Sequence, residues 1–436
     1  MKRLAHGLMA LGLLGLGGPA AYATDKVAPE PAATLLLPYF EVDLGNPLGA
    51  NTLISINNAS AMGVLAHVVV LSDLSVPVLD FNIYLTGYDV QTITLRDILV
   101  GGMLPQTASA GQDPSDTISP QGPFSQDANF TSCTGQLPPP PLPATFIQHL
   151  QLSLTGRGSP LFGGLCSGRS LGDNLARGYV TVDTVSNCTL RLPSDPAYFG
   201  DVNGNRDITD QNVLWGDYFY INQTRGTAEG NPLVHILAEL PPIPPEELLA
   251  PSRYTFYGRY VNWSGADHRH PLGTNFAGRY TVGGSFSSTT SYIVWRDSKV
   301  VQNAFTCPVI TGRPTWYPLG QEGIVIFDEQ EQANVPVSFP FSPVPPQQGI
   351  IPFPAESQRV AVNGADLPVP FAFGWLYLNL NTTVSPGVNP PHDPAAAQAW
   401  VALQMISTSG GTFSVGFDAI QLDNASRALH RTPATP

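Results

Sequence analysis

Along residues 65–99, LAHVVVLSDLSVPVLDFNIYLTGYDVQTITLRDIL, the rhythm of apolar positions changes midway. Val68, Val69, Val70 and Leu71 form an unbroken apolar run, the pattern of a strand covered on both faces. Further on, Leu79, Phe81, Ile83 and Leu85 alternate with Asp80, Asn82 and Tyr84, a period of two that buries one face of a pleated strand. Thr86 and Gly87 then turn the chain into a third strand over 90–95. Shorter apolar stretches at 34–40 and 52–56 read as two more strands. The same signals recur at 178–185, 213–221, 233–237, 254–263, 280–283, 292–295, 324–327, 360–362 and 375–380. In the last of these Leu376, Leu378 and Leu380 share a face opposite Trp375 and Tyr377. A closing hairpin sets Val401, Leu403 and Met405 against Phe413, Val415 and Phe417 across Ser409-Gly410-Gly411.

The clearest helical period after the amino-terminal leader is at 144–155, where Phe146, Ile147, Leu150 and Leu154 fall on one face between Pro143 and Gly156; that face is expected to pack on a sheet. The pattern therefore predicts a mainly β protein, a large antiparallel β-sandwich of immunoglobulin-like or jelly-roll-like type, with long loops and one or two short helices. No fixed-period repeat is present, which disfavours a solenoid or propeller. The expected organisation is a leader at 1–23, sandwich strands and a long loop at 24–130, a mixed segment at 131–250 and further strands at 251–436. The last block is expected to share one composite sandwich with 24–130, because five strands with open edges need partners. Residues 101–136 read as a surface loop, and prolines cluster at 138–141 and 241–245.

Lys2, Arg3 and His6, an apolar run at 8–16 and Ala21-Tyr22-Ala23 make a secretory signal peptide with cleavage after Ala23. The run is about half the ~20 residues a bilayer needs, and no later segment is apolar for long enough to cross one, so no membrane span is expected. Export would place the chain in the extracellular space, at the cell surface or in the periplasm. There Cys133, Cys166, Cys188 and Cys307 are expected to form two disulfides. Spacing does not choose among the three connectivities; Cys133–Cys166 with Cys188–Cys307 is the working expectation. Zinc is disfavoured, since no C-x-x-C or paired-histidine spacing occurs. The formal charge of −13 falls by two more when Lys2 and Arg3 are removed, and no Lys/Arg cluster stands out, which argues against nucleic acid as a partner. With 42 Gly and 43 Pro the chain is rich in loops, while 43% apolar residues suffice for a core.

The strings LLLPYF, VLDFNIYLTGYDVQTITLRDI and NVLWGDYFYI resemble those of a family of exported, β-rich bacterial proteins with no assigned activity. The resemblance spans much of the chain. It implies export and a β fold, and carries no site residue.

Candidate chemistry is sparse. Asp201, Asn203, Asn205, Asp207 and Asp210 put five oxygen side chains in ten residues, as a loop wrapping calcium would. The pattern departs from the usual calcium loop in placing its glycine at 204, with Arg206 after the third ligand and no closing glutamate; the competing reading is a turn tied to its own backbone. Gly168-Arg169-Ser170-Leu171-Gly172 matches a nucleophile elbow without the βαβ context such an elbow needs. Glu329 and Glu331 form a carboxylate pair at a strand end, the raw material of glycoside hydrolysis, although such ends are usually just solvated. Asp267, His268 and His270 read as exposed loop residues rather than metal ligands. Tyr257, Arg259 and Trp263 lie in an aromatic segment able to stack on sugars, or equally to pack a core. The expectation is a secreted or surface protein of binding or structural type without catalysis, its partner a carbohydrate or another surface protein. The alternative is a carbohydrate-active hydrolase or a carbohydrate-binding protein on a β-sandwich scaffold. An enzyme would set Ser170 or the Glu329/Glu331 pair in a deep pocket beside histidine or another acid.

Overall fold

The computed structural model describes residues 30–107, 124–200, 205–238, 255–261, 267–308, 314, 316–334, 351–381 and 397–422. The leader, the proline cluster at 241–245, Asp201, Asn203 and Trp263 lie outside them.

Four sheets carry the chain, and every ladder among the described residues is antiparallel. The first is built from β1 (Thr34–Asp43), β3 (Val64–Ser72), β4 (Pro77–Leu85), β6 (Leu175–Val185) and β9 (Val234–Ile236), in the order β4-β3-β6-β1-β9. The second contains β2 (Ala50–Asn58), β5 (Val90–Thr94), β7 (Leu214–Asn222) and β8 (Thr227–Pro232), ordered β5-β2-β7-β8. Beyond residue 270, β11 (Ser288–Asp297), β14 (Ser357–Ala361), β16 (Gln398–Ser407) and β17 (Phe413–Asp418) form the third, ordered β14-β11-β16-β17. The fourth has β10 (Asn275–Thr281), β12 (Gly323–Phe327), β13 (Ala333–Asn334), β15 (Phe373–Asn379) and β18 (Ile420–Gln421), ordered β13-β12-β15-β10-β18. Among the described residues the α-helices are α1 (Leu95–Leu99), α2 (Ala144–Leu154) and α3 (Pro196–Phe199).

The expected sandwich architecture holds in this mainly β, multi-sheet form. The first sheet is buried on both faces, which is why β3 is apolar almost throughout. Leu35, Leu37, Val68, Val70, Val180 and Val182 meet Ile54, Ile56, Tyr218 and Tyr220 of the second sheet, together with Leu150 and Leu154 of α2. Alternate residues, Leu36, Leu65, Val69, Leu71 and Tyr179, enter the other core with Phe256, Tyr257 and Trp295. Two of the three polar-side residues of β4 are consequently buried too, Asp80 being half-buried: Asn82 donates to the Thr189 carbonyl at 2.8 Å, and Tyr84 is 1% exposed. One covered face was expected there; two are found.

Pairing crosses the expected boundary at 131. Strand β6 lies between β3 and β1, and β7 between β2 and β8, so the middle segment supplies central strands rather than an insertion. Strands beyond 270 pair among themselves. They meet the first half at the β8–β17 edges, where the Ser414 hydroxyl accepts from the Ala228 amide at 3.1 Å and donates to its carbonyl at 3.0 Å. Near β14, the Ser357 hydroxyl lies 2.8 Å from the Pro38 carbonyl and 3.1 Å from that of Gly178.

Two local expectations need correction, and one strand was not expected. Residues 255–261 form turns rather than a strand, because the Gly258 amide bonds to Thr255 and the Tyr260 amide to Tyr257; alternate aromatics there reflect packing, not pleat. Strand β8, TAEGNP, has no apolar period and forms because β7 offers it a ladder. The disulfides are Cys133–Cys188 and Cys166–Cys307, with Cα separations of 5.1 and 5.3 Å, not the expected pairs. Tertiary contacts decide this. Cys166 and Phe305 exchange both backbone hydrogen bonds at 2.8 Å, drawing Cys307 to Cys166, while the Cys188 amide bonds to the Ser132 hydroxyl beside Cys133.

Candidate functional site

The aromatic segment at 255–261 faces inward. Tyr257 is 5% exposed, and its hydroxyl donates to Asp183 at 2.6 Å; the Arg259 side chain is 4% exposed. Its guanidinium lies 2.5 Å from an Asp297 oxygen and 2.6 Å from Glu356. Lys299 closes the cluster, 3.0 Å from the second Asp297 oxygen, and Ser75, in the left-handed region at φ 63°, donates to Glu356. Burial pushes the Asp297 carboxyl up, but Arg259 and Lys299 more than offset this and hold it down at about 2. On Glu356 burial wins, and its pKa is raised despite Arg259. The cavity lined by Tyr257, Arg259 and Tyr260, with Tyr179 and Trp295, is only about 30 Å³, room for one or two waters. Tyr257 and Arg259 are therefore cement between the halves of the molecule and present no exposed sugar face.

In the expected calcium loop, the described carboxylates turn to different protein partners. Asp207 accepts from Thr189 at 2.6 Å, Asn187 at 2.9 Å and Arg191 at 3.2 Å. Asp210 is 2.5 Å from Arg206 and 2.7 Å from the ring of His268. Asn205 is exposed. Among the described residues no group of three or more His, Cys, Asp or Glu is arranged to hold a metal. Asp267 is fully buried, contrary to expectation, because Arg269 needs counter-charges: it lies 3.6 Å from Asp267, 3.5 Å from Asp183 and 3.8 Å from Asp210. Ser170 is exposed in an irregular loop, so the elbow match has no strand-to-helix turn behind it.

Glu329 and Glu331 do reach a cavity. They stand on the turn after β12, and with Asp328, Asp418, Arg279 and Trp375 they line a cleft of about 880 Å³ in the carboxy-terminal half. In the ladder Phe327 pairs with Trp375 and Trp375 with Arg279, so the three share one face of the fourth sheet. The indole stacks on Phe327, ring centroids 4.3 Å apart and planes at 12°, yet remains 37% exposed toward the cleft. Gly374 permits this arrangement: a Cβ there would run into the Phe327 carbonyl, to which Tyr280 donates at 3.1 Å. Asp328 uses one oxygen to accept the Gln330 and Gln332 amides, each at 2.8 Å. Among the described residues none accepts a hydrogen bond from the Arg279 side chain. Leu403, Met405 and Phe417 form the apolar floor.

Asp418 stands on the opposite wall, where the chain passes from β17 to β18. Among the described residues its one hydrogen bond to a side chain of the first half is a long one, 3.4 Å from the Asn231 amide. Burial pushes its carboxyl up to about 6. Because this exceeds the unfolded value, the neutral acid favours the fold; that contribution is complete below about pH 4 and is lost as pH rises through 6. Two pKa units correspond to roughly 3 kcal/mol. Asp418→Asn is thus expected to raise the denaturation midpoint at pH 7 and to leave it nearly unchanged at pH ~3.5. Urea titrations at the two pH values check this, and an equal shift at both would rule out titration as the cause.

Trp375, Arg279 and Asp418 were not singled out from sequence. The available signal was Trp375 on the polar side of an alternating strand. Comparisons with known proteins add no guide: no family model, no curated protein and no solved structure matches this chain.

Proposed function

We propose that this is an exported carbohydrate-binding protein without catalytic activity, with the carboxy-terminal cleft as its site. The observation that carries the reading is the half-open Trp375 indole, backed by Phe327 and flanked by Arg279 on one side and Asp328, Glu329 and Glu331 on the other. A pyranose offers an apolar C–H face to an aromatic ring and hydroxyls at its edge to planar acceptors and donors. The backing ring limits the indole's freedom before a ligand arrives, so less ordering entropy opposes binding. The two disulfides and the leader pattern fit export.

A hydrolytic reading has one observation in its favour, the raised carboxyl of Asp418 in the same cleft as Glu329 and Glu331. Placement weighs against it. Asp418 ends β17 in the third sheet, whereas Glu329 and Glu331 follow β12 in the fourth, so no ladder register holds these carboxyls as the fixed pair that glycoside hydrolysis needs.

The test is titration with a panel of soluble plant-type, fungal-type and bacterial-type oligosaccharides, followed by tryptophan fluorescence and calorimetry. A member of the panel should bind, and Trp375→Ala should weaken it about tenfold or more. Absence of binding across the panel, or equal binding by the variant, overturns the proposal. Release of reducing ends that disappears in Asp418→Asn would replace it with the hydrolytic one.

A further inference from the structure

We propose that the cleft selects a sugar bearing a protonated amine, of the glucosamine type, over its neutral or N-acetylated counterpart; this rests on the carbohydrate-binding reading above. Besides Asp418, whose raised carboxyl adds little charge in slightly acidic solution, the lining holds three carboxyl groups, Asp328, Glu329 and Glu331, against one guanidinium, that of Arg279. Elsewhere the buried carboxylates at Asp207, Asp297 and Asp183 are compensated by arginine from the protein itself. Here no described residue places a cation within ion-pair distance of Glu329, Glu331 or Asp328, so the negative field of the wall is left to the cavity. Asp328 keeps one oxygen clear of its own turn, and Glu331 is held at φ 64° by the hairpin that presents it.

The tryptophan adds to this selection. An exposed indole attracts an ammonium through its quadrupole as well as stacking on the sugar ring, so the same side chain favours a cationic pyranose twice. The apolar floor of Leu403, Met405 and Phe417 distinguishes the cleft from a bare acidic surface, which would attract any polycation equally. Arg279, standing across the ladder from Trp375, has the geometry to take hydroxyl oxygens on the other edge of the ring, leaving the amine to the acidic wall. The molecule's overall negative charge steers a cationic oligomer toward it in the same direction.

The experiment compares glucosamine oligomers with N-acetylglucosamine oligomers of equal length, in slightly acidic buffer, with the full chain. An oligolysine of matched charge is the third probe. The amine form should bind roughly tenfold tighter at low ionic strength. Raising the salt, or making Glu329→Gln with Glu331→Gln, should bring the ratio of the two affinities toward one. Equal affinities at low salt overturn the inference and leave carbohydrate binding standing. If neither sugar binds, both readings fall. Oligolysine binding as tightly, with Trp375→Ala indifferent, overturns the inference in favour of plain charge attraction.

Discussion

Arg259→Met is expected to destabilise the protein by about 3 to 5 kcal/mol at neutral pH, the usual result of stripping one partner from a buried ion cluster. Two carboxylates depend on this guanidinium, at 2.5 and 2.6 Å, and both Asp297 and Glu356 are essentially sealed from solvent. Methionine fills much of the space but carries no charge, leaving, among the described residues, Lys299 within ion-pair distance of Asp297 and no such partner for Glu356. Glu356 is the weak member: burial already raises its pKa, and losing Arg259 raises it further. The variant should therefore recover part of its loss as the solution is acidified and Glu356 takes up a proton, narrowing its gap to the parent. Denaturant unfolding at pH 7 and pH 5 reads both effects. A loss under 1 kcal/mol at pH 7 would mean that Arg259 is not what holds the turns at 255–261 against β11 and the segment before β14. Replacing Arg259, Asp297 and Glu356 together by apolar residues should cost less than the single change, since no charge is then stranded.

The largest loss from covalent change is expected at Cys166–Cys307. This bridge closes 141 residues of sequence and joins the loop after α2 to the carboxy-terminal half, whereas Cys133–Cys188 closes 55 within the first half. In the loop-entropy model the two restrict the unfolded chain by about 5 and about 4 kcal/mol respectively. The paired variants Cys166→Ala/Cys307→Ala and Cys133→Ala/Cys188→Ala separate them by denaturant midpoint, with the first expected to fall further. Non-reducing peptide mapping supplies the connectivity. A cross-linked peptide joining Cys133 to Cys166 would overturn the pairing, and four reactive thiols in the denatured, unreduced chain would remove both bridges.

Much of the architecture is written locally, and the reason is geometric. A strand's pleat imposes a period of two on whatever it buries, so the apolar runs at β1, β3, β4, β6, β11 and β15 and the final hairpin could be read residue by residue; Leu403 faces Phe417 and Met405 faces Val415. The α2 helix, with Leu150 and Leu154 buried, follows from its 3.6-residue period in the same way. Period alone fails where a neighbour rather than the segment itself supplies the order. Strand β8 exists because β7 pairs with it, and the aromatic alternation at 255–261 belongs to turns whose rings are held by Trp295 and Phe199 from elsewhere.

Composition and position made two disulfides an expectation; which sulfurs meet was decided by the Cys166–Phe305 backbone bonds and by Ser132. The same division applies to the candidate site. Sequence exposes the Glu329/Glu331 pair and Trp375 on the polar side of its strand, but gives no reason to associate them. Ladder register brings Phe327, Trp375 and Arg279 into one row, and the chain's passage from β17 to β18 sets Asp418 on the facing wall. Local periodicity reports which face of a segment is covered. Which residues share a cavity is set by register and crossover between segments a hundred residues apart, and no local pattern encodes that.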